Sequence, residues 1–330
     1  MADRTRRITI GTREIGADRP CFIIAEAGIN HNGDVDAGRR AASRRRPRPG
    51  RTPIKIPDAL SRSTRCCAAA RPAAYVGESL FDLLTRTAVS RDDHFALRDA
   101  ARRRKASSFL STPFSREAAD FLETVGVPAF KTGSGELTHV PLQRHIARKG
   151  KPMIISTGMS TPRGDRSRPS QAVRARRRAI RADALHLDLS DAVSEHVQLD
   201  CIAALQSTIR CAGRLLGPHA RQLRWRSRPS TLGANLFEKH FHDVPRSLPG
   251  PDQQGSMEPA ELDELVTGIR AIEQARGATR CIQPGEQGAC TDMALHSVVS
   301  MKDICRRARI GADDVWAKRP GTGIPARQLR

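Results

Sequence analysis

Aromatic residues are scarce in this chain: Phe, Trp and Tyr make up 4% of its 330 residues, with a single Tyr. None is interleaved with the two strongest basic runs, so the stacking platforms that hold single-stranded nucleic acid are missing. Long apolar runs are missing too, since no stretch of about 18 apolar residues occurs that could span a bilayer as a helix. The opening segment MADRTRRITIGTREIG has no apolar core for export, which sets the expectation of a cytoplasmic protein. Eight cysteines form no CxxC pair and no regular spacing, a pattern that favours free thiols over a zinc site. Acidic residues are outnumbered, with 35 Asp plus Glu against 56 Lys plus Arg and a net charge of +21.

That charge by itself suggests a polyanion binder, and a basic nucleic-acid-binding protein is the alternative from another class. Its distribution points elsewhere. Arginine is concentrated in 38–51, 163–181 and 221–229, and the segments between these runs have a different character.

Residues 109–159, FLSTPFSREAADFLETVGVPAFKTGSGELTHVPLQRHIARKGKPMIISTGM, are the most regular of those segments. Three times a short apolar run ends in small polar residues and a helical pattern follows. A strand buried on both faces reads as continuously apolar, and in a (β/α)8 barrel the residues at its carboxyl end form the active-site rim. The expected rim is Ser111, Thr112, Lys131, Ser134, Glu136, Ser156 and Thr157, which suits a phosphorylated, polar substrate. Ser115 is placed to cap a helix that Gly126 ends, and Pro259 to open one with Leu262, Leu265, Val266, Ile269 and Ile272 on one face. Length allows a barrel over 1–277, a linker at 278–291 and a small appendage at 292–330.

Five blocks carry a family likeness: FIIAEAGINHNG at 22–33, the 109–159 segment, LGANLFEKHF at 232–241, SLPGPD at 247–252 and KRPGTGI at 318–324. Present in this order, they resemble the sialic acid synthase family, N-acetylneuraminate synthase and its close relatives. The resemblance implies a TIM barrel followed by a small, incomplete β-rich SAF (antifreeze-like) domain. It also implies the joining of phosphoenolpyruvate to an N-acetylhexosamine such as N-acetylmannosamine or its 6-phosphate, with a divalent metal, Mn2+ or Mg2+, and release of phosphate.

By the same resemblance Lys131, Ser134, Ser156 and Thr112 hold the phosphate and carboxylate of phosphoenolpyruvate, and Lys55 stands for a further lysine. One ammonium with several hydroxyls offers charge-assisted hydrogen bonds to such an anion. Glu26 lies near the sugar and the reacting centre, where a carboxylate can manage a proton. Glu136 positions backbone or substrate, Asp252 contacts the sugar, and Asn30 and His31 share the Glu26 loop. His240 is one metal ligand, and His219, 21 residues earlier, stands at the count of the second. Arg319 would reach the sugar site of a neighbouring subunit in a domain-swapped homodimer.

The arginine-rich stretches match nothing in the family and read as out-of-frame translation of a GC-rich gene. A family motif of the type SDHTRGNS, read two bases on, gives GPHARQL at 217–223, and a CTSTYPTPY-like motif gives HLDLSDAV at 186–193. The chain would then be an inactive pseudogene product as written, or regain activity on frame correction. Peptide mass spectrometry across 38–80 and 163–230 is expected to miss the arginine-rich peptides. Their recovery from a fully active protein would sink the frameshift.

Overall fold

The computed structural model describes residues 7–16, 18–31, 33–36, 54–55, 79–103, 108–156, 179–181, 215–216, 234–242, 256–275 and 288–329. At 54–55, 80, 179–181, 215–216 and 289–291 only the backbone is described. The chain divides into two compact units, Met1–Arg276 and Gly277–Arg330.

The first unit opens with an antiparallel hairpin, β1 (Ile8–Ile10) and β2 (Arg13–Ile15). Parallel strands follow in chain order: β3 (Phe22–Glu26), β4 (Ile54–Lys55), β5 (Phe109–Leu110), β6 (Phe130–Thr132), β7 (Met153–Ile155), β8 (Ala179–Arg181), β9 (Leu215–Leu216) and β10 (Leu236–His240). They form two arcs, β5-β4-β3-β10-β9 and β6-β7-β8. Chain neighbours are sheet neighbours within each arc, and the last strand pairs with the first from Leu236 opposite Phe22 to His240 opposite Glu26. This is the strand order of a closed (β/α)8 barrel, and the expected α/β barrel class stands.

Side chains alternate across each strand, and the two faces sort into two apolar clusters. One contains Phe22, Ile24, Leu110, Ala129, Ile154 and Leu236, together with Ile10 and Ile15 from the hairpin. The other takes the opposite parity, Ile23, Ala25, Phe109, Phe130, Ile155 and Phe237, with Leu97, Leu122, Ile146, Val266 and Ile269 from helices. The first cluster is therefore the barrel interior and the second the strand-to-helix layer. The hairpin packs against the amino-terminal ends of the strands and floors the barrel, leaving the polar residues at the opposite ends.

Local sequence explains the helices around this core. Ser90 and Ser115 accept from the amides of Asp93 and Ala118, capping α2 (Arg91–Arg102) and α3 (Arg116–Val125), and α3 ends at Gly126. Helix α1 (Leu80–Arg86) is capped by Ser79 in the same way. Helix α4 (Val140–Arg148) buries Leu142, Gln143, Ile146 and Ala147. Helix α5 (Pro259–Ala275) buries Leu262, Leu265, Val266 and Ile269, four of the five residues expected on that face, while Ile272 is half-buried. Near its end Arg270 donates to the Cys21 carbonyl at 2.9 Å, and Glu273 accepts from the Cys21 amide. Helix α5 thus grips both backbone groups at the entrance of the first barrel strand.

In the second unit a short helix, α6 (Ala289–Ala294), starts inside the segment expected to be linker. Strands β11 (Ser297–Ser300) and β12 (Val315–Lys318) pair antiparallel. Ser297 Oγ donates to the Pro320 carbonyl at 2.7 Å and accepts from the Gly323 amide at 2.8 Å, fixing the RPGTG turn. Among the described residues this unit buries no large hydrophobic side chain, whereas Met293, Leu295, Met301, Ile310, Trp316 and Ile324 are exposed.

Because Ile15 is fully buried in the floor, Ile15→Ala is expected to cost about 2–5 kcal/mol of unfolding free energy. Equilibrium urea titration checks this, and an unchanged midpoint would make the hairpin a dispensable appendage.

Candidate active site

The inward-facing positions turn from apolar to polar at the carboxyl ends of the strands. On β3 the series is Phe22, Ile24, Glu26, and on β10 it is Leu236, Glu238, His240. Strand register sets Glu26 beside His240, with His240 Nε2 3.7 Å from Glu26 Oε2 and both side chains buried. On β6 Lys131 is inward, and its ammonium donates to Ser156 Oγ at 2.6 Å and to the Thr132 carbonyl at 3.2 Å. The same nitrogen lies 3.3 Å from Glu238 Oε2, with the two side chains 4% and 2% exposed. Thr112, two residues past Leu110, is also buried. Among the described residues its Oγ1 has no hydrogen-bond partner, and nor has Ser111 Oγ. Buried hydroxyls are normally satisfied, so Thr112 at the end of a barrel strand fits a position that meets a ligand.

Glu136 sits in the 3-10 turn Gly135–Thr138 that Ser134 opens. Burial raises its pKa above the usual carboxylate value, against the lowering pull of its own backbone hydrogen bond and of Lys131. Its carboxylate folds back over Gly133, where an added Cβ would meet Glu136 Oε2 at 2.4 Å, so a larger residue there would displace the carboxylate. Gln143, fully buried, donates to the carbonyls of Glu136 at 2.9 Å and Leu137 at 2.8 Å and locks the turn to α4.

The GINHNG loop is pinned to the exit of β10. Asn30 Nδ2 donates to the Phe241 carbonyl at 3.2 Å and to Ser256 Oγ at 2.9 Å, and Asn30 Oδ1 is buried without a partner among the described residues. Gly33 has φ +86, and a Cβ there would lie 2.4 Å from the Arg86 carbonyl oxygen. Its amide donates to His31 Nδ1 at 3.1 Å. Burial holds the His31 pKa down at about 4, with nearby Asp34 opposing and His94 assisting.

The structure therefore brings Glu26, Thr112, Lys131, Ser156 and His240 to one end of the barrel, with Glu136 and Ser134 on the turn after β6. Lys55 shares the register position of Glu26 and Leu110, and its side chain lies outside the described residues. Asp252, His219 and Thr157 also lie outside them, as do the arginine-rich runs apart from the backbone of 179–181. Arg319 is exposed at the end of β12 in the second unit. Sequence reasoning missed Glu238, Gln143 and the hairpin floor. The signal for Glu238 was its two-residue spacing from His240, which gives both the same face of a strand.

Comparison with known proteins decides the family. Residues 60–280 match the NeuB family. The chain belongs to the NeuB family. An uncharacterised protein of Methanocaldococcus jannaschii is 31% identical over 98% of this chain and 92% of its own length. The N,N'-diacetyllegionaminic acid synthase of Legionella pneumophila is 29% identical over 97% and 91%. An N-acetylneuraminic acid synthetase from Leptospira borgpetersenii superposes with a TM-score of 0.71 at 24% identity, covering 86% of this chain and 94% of that one, a likeness of fold. Homologues of this NeuB-family chain thus include legionaminic acid and N-acetylneuraminate-9-phosphate synthases, and the polar rim described above occupies the barrel end where such folds carry their sites.

Among the described residues no group of three or more His, Cys, Asp or Glu side chains converges to hold a metal, and no helix is long and apolar enough to cross a membrane. His240 and Glu26 supply an imidazole and a carboxylate, donor types found in divalent-metal sites. The other expected histidine, His219, is outside the described residues.

His31 gives a pH test. Its folded pKa lies below the ordinary 6.5, so its neutral form stabilises the fold above pH 6.5, and that contribution is lost as pH falls toward about 4. The loss should reach about 3 kcal/mol by the lower pH, at about 1.36 kcal/mol per unit. His31→Gln, with no titrating group, should show a correspondingly flatter fall in urea midpoint between pH 7 and 4.5. Parallel falls in the two proteins would remove His31 as the cause.

Proposed function

We propose that this chain carries the site of a sialic-acid-type synthase, which condenses phosphoenolpyruvate with the open-chain aldehyde of an N-acylated hexosamine and releases inorganic phosphate. The observation that carries it is the buried Lys131 ammonium hydrogen-bonded to Ser156 on the inner barrel wall, with the buried Thr112 hydroxyl at the end of β5. One cation flanked by hydroxyls in a low-dielectric pocket suits the phosphate and carboxylate of a small enol phosphate.

In the reaction C3 of the enol attacks the aldehyde carbon, and the C2–C3 double bond opens as the new carbon–carbon bond forms. Water adds at C2, the new alkoxide takes a proton, and phosphate leaves as C2 becomes a ketone. Lys131, Ser156, Thr112 and Ser134 bind and orient the anion, with Lys55 as a further candidate. Glu26, beside His240, holds a proton near the sugar carbonyl, and Glu136, kept toward its protonated form by burial, positions the donor. His240, with His219, would hold a divalent cation whose Lewis acidity favours attack on the aldehyde oxygen's carbon.

Asp252 is assigned to the sugar. The second unit is taken as the start of a SAF-like domain whose Arg319 serves the neighbouring subunit of a homodimer. The arginine-rich stretches are taken as out of frame, so full activity is expected from the frame-corrected chain and at most weak turnover from the chain as written.

The test is phosphate release that requires both substrates, measured on the frame-corrected protein. His240→Ala should abolish metal-dependent release while shifting the circular-dichroism melt little, because a rim side chain contributes little to barrel packing. Full activity in this variant after chelation would remove the metal role, and absence of release from the unaltered corrected protein with any N-acylhexosamine tried would overturn the function.

A further inference from the structure

We infer that Glu238 is a positioning residue for the anion site, acting through Lys131. The inference rests on taking Lys131 as a phosphoenolpyruvate-binding residue. An ammonium has three N–H donors and no acceptor. At Lys131 two of them go to Ser156 Oγ at 2.6 Å and the Thr132 carbonyl at 3.2 Å, and among the described residues Glu238 Oε2 forms an ion pair with the same nitrogen at 3.3 Å. Two of these belong to the β6–β7 arc, whereas Glu238 comes from β10, in the other arc of the barrel. The lysine and the glutamate are almost wholly buried. Removing one partner of such a pair leaves an uncompensated charge in a poor solvent, and a flexible lysine responds by moving or giving up its proton.

Glu238 therefore has a task distinct from touching substrate. It fixes the charge and direction of Lys131 so that the ammonium stays against Ser156 at the end of β7. An incoming phosphate then replaces a neutral acceptor and meets an ammonium already in place. Its position on β10, two residues before His240, also ties the anion end of the pocket to the imidazole end through one short strand.

The experiment is calorimetric titration of the frame-corrected full chain, the unaltered reference for every variant, with phosphoenolpyruvate, alongside thermal melts. Glu238→Gln should bind at least tenfold more weakly than the unaltered chain. Glu238→Asp, which keeps the charge but shortens its reach, should fall between them. Lys131→Met/Glu238→Gln should bind no more weakly than Lys131→Met alone, since the effect passes through the lysine. A residue that merely supports the fold would lower the melting temperature without this coupling. If Glu238→Gln melts too low to titrate, the Asp variant and the charge-free double variant carry the comparison. Binding by Glu238→Gln equal to or tighter than the unaltered chain would overturn the positioning role, as would a Glu238 effect undiminished in the Lys131→Met background. No binding by the unaltered chain would instead sink the anion-site assignment of Lys131 and this inference with it.

Discussion

The pairing of the last barrel strand with the first is the constraint on which the site depends. Five residues of β10 run parallel to five of β3, and the register places His240 opposite Glu26 at the upper end. Separate contacts guard that register. The Phe22 amide donates to the Asn235 carbonyl at the entrance and the Phe241 amide to the Glu26 carbonyl at the exit. Arg270 and Glu273 grip Cys21 below, and Asn30 spans from the β3 loop to the Phe241 carbonyl above. A slip of one residue would turn Glu238 and His240 into the helix layer and bring Phe237 and Lys239 inward, losing the polar rim in a single step.

The interior is graded along the barrel axis. Its lower part is apolar, closed by Ile10 and Ile15, and its upper part carries Glu26, Lys131, Ser156, Glu238 and His240. An apolar floor costs nothing in unsatisfied hydrogen bonds and supplies the packing that holds short strands in place. Polar groups above it can then be buried in mutual contact, as Lys131 is with Ser156 and Glu238. Fixed dipoles in a dry pocket interact with a charged ligand more strongly than they would in water.

Much of this was legible in the sequence wherever one strand or helix carried its own signal. Ser115, Gly126 and Pro259 marked helix ends by local chemistry, and the runs ending at Ser111, Lys131 and Ser156 marked strand ends by burial on both faces. Pairwise facts were not legible. Nothing local in EKHF says that Glu238 meets Lys131, because the contact joins the two arcs of the barrel across more than a hundred residues. The hairpin floor was missed because ITIGTREI is short and lies in a charged segment, where alternation over three residues is weak evidence for a strand. Glu136 was readable as a rim carboxylate, but its raised pKa was not, since burial of the turn depends on Gln143 from α4 and on the contact-tight glycine before it.

The overall charge of +21 and the charge of the pocket are separate matters. Among the described inward side chains at the rim, one lysine is set against Glu26 and Glu238. Exposed arginines act through water, where fields decay over a Debye length of about 8 Å at physiological salt, so they influence how often an anion arrives. Inside the barrel the Lys131 ammonium lies against Ser156 and Glu238, so its charge is met by protein groups at close range. Where that lysine points is therefore settled by β6, β7 and β10 together.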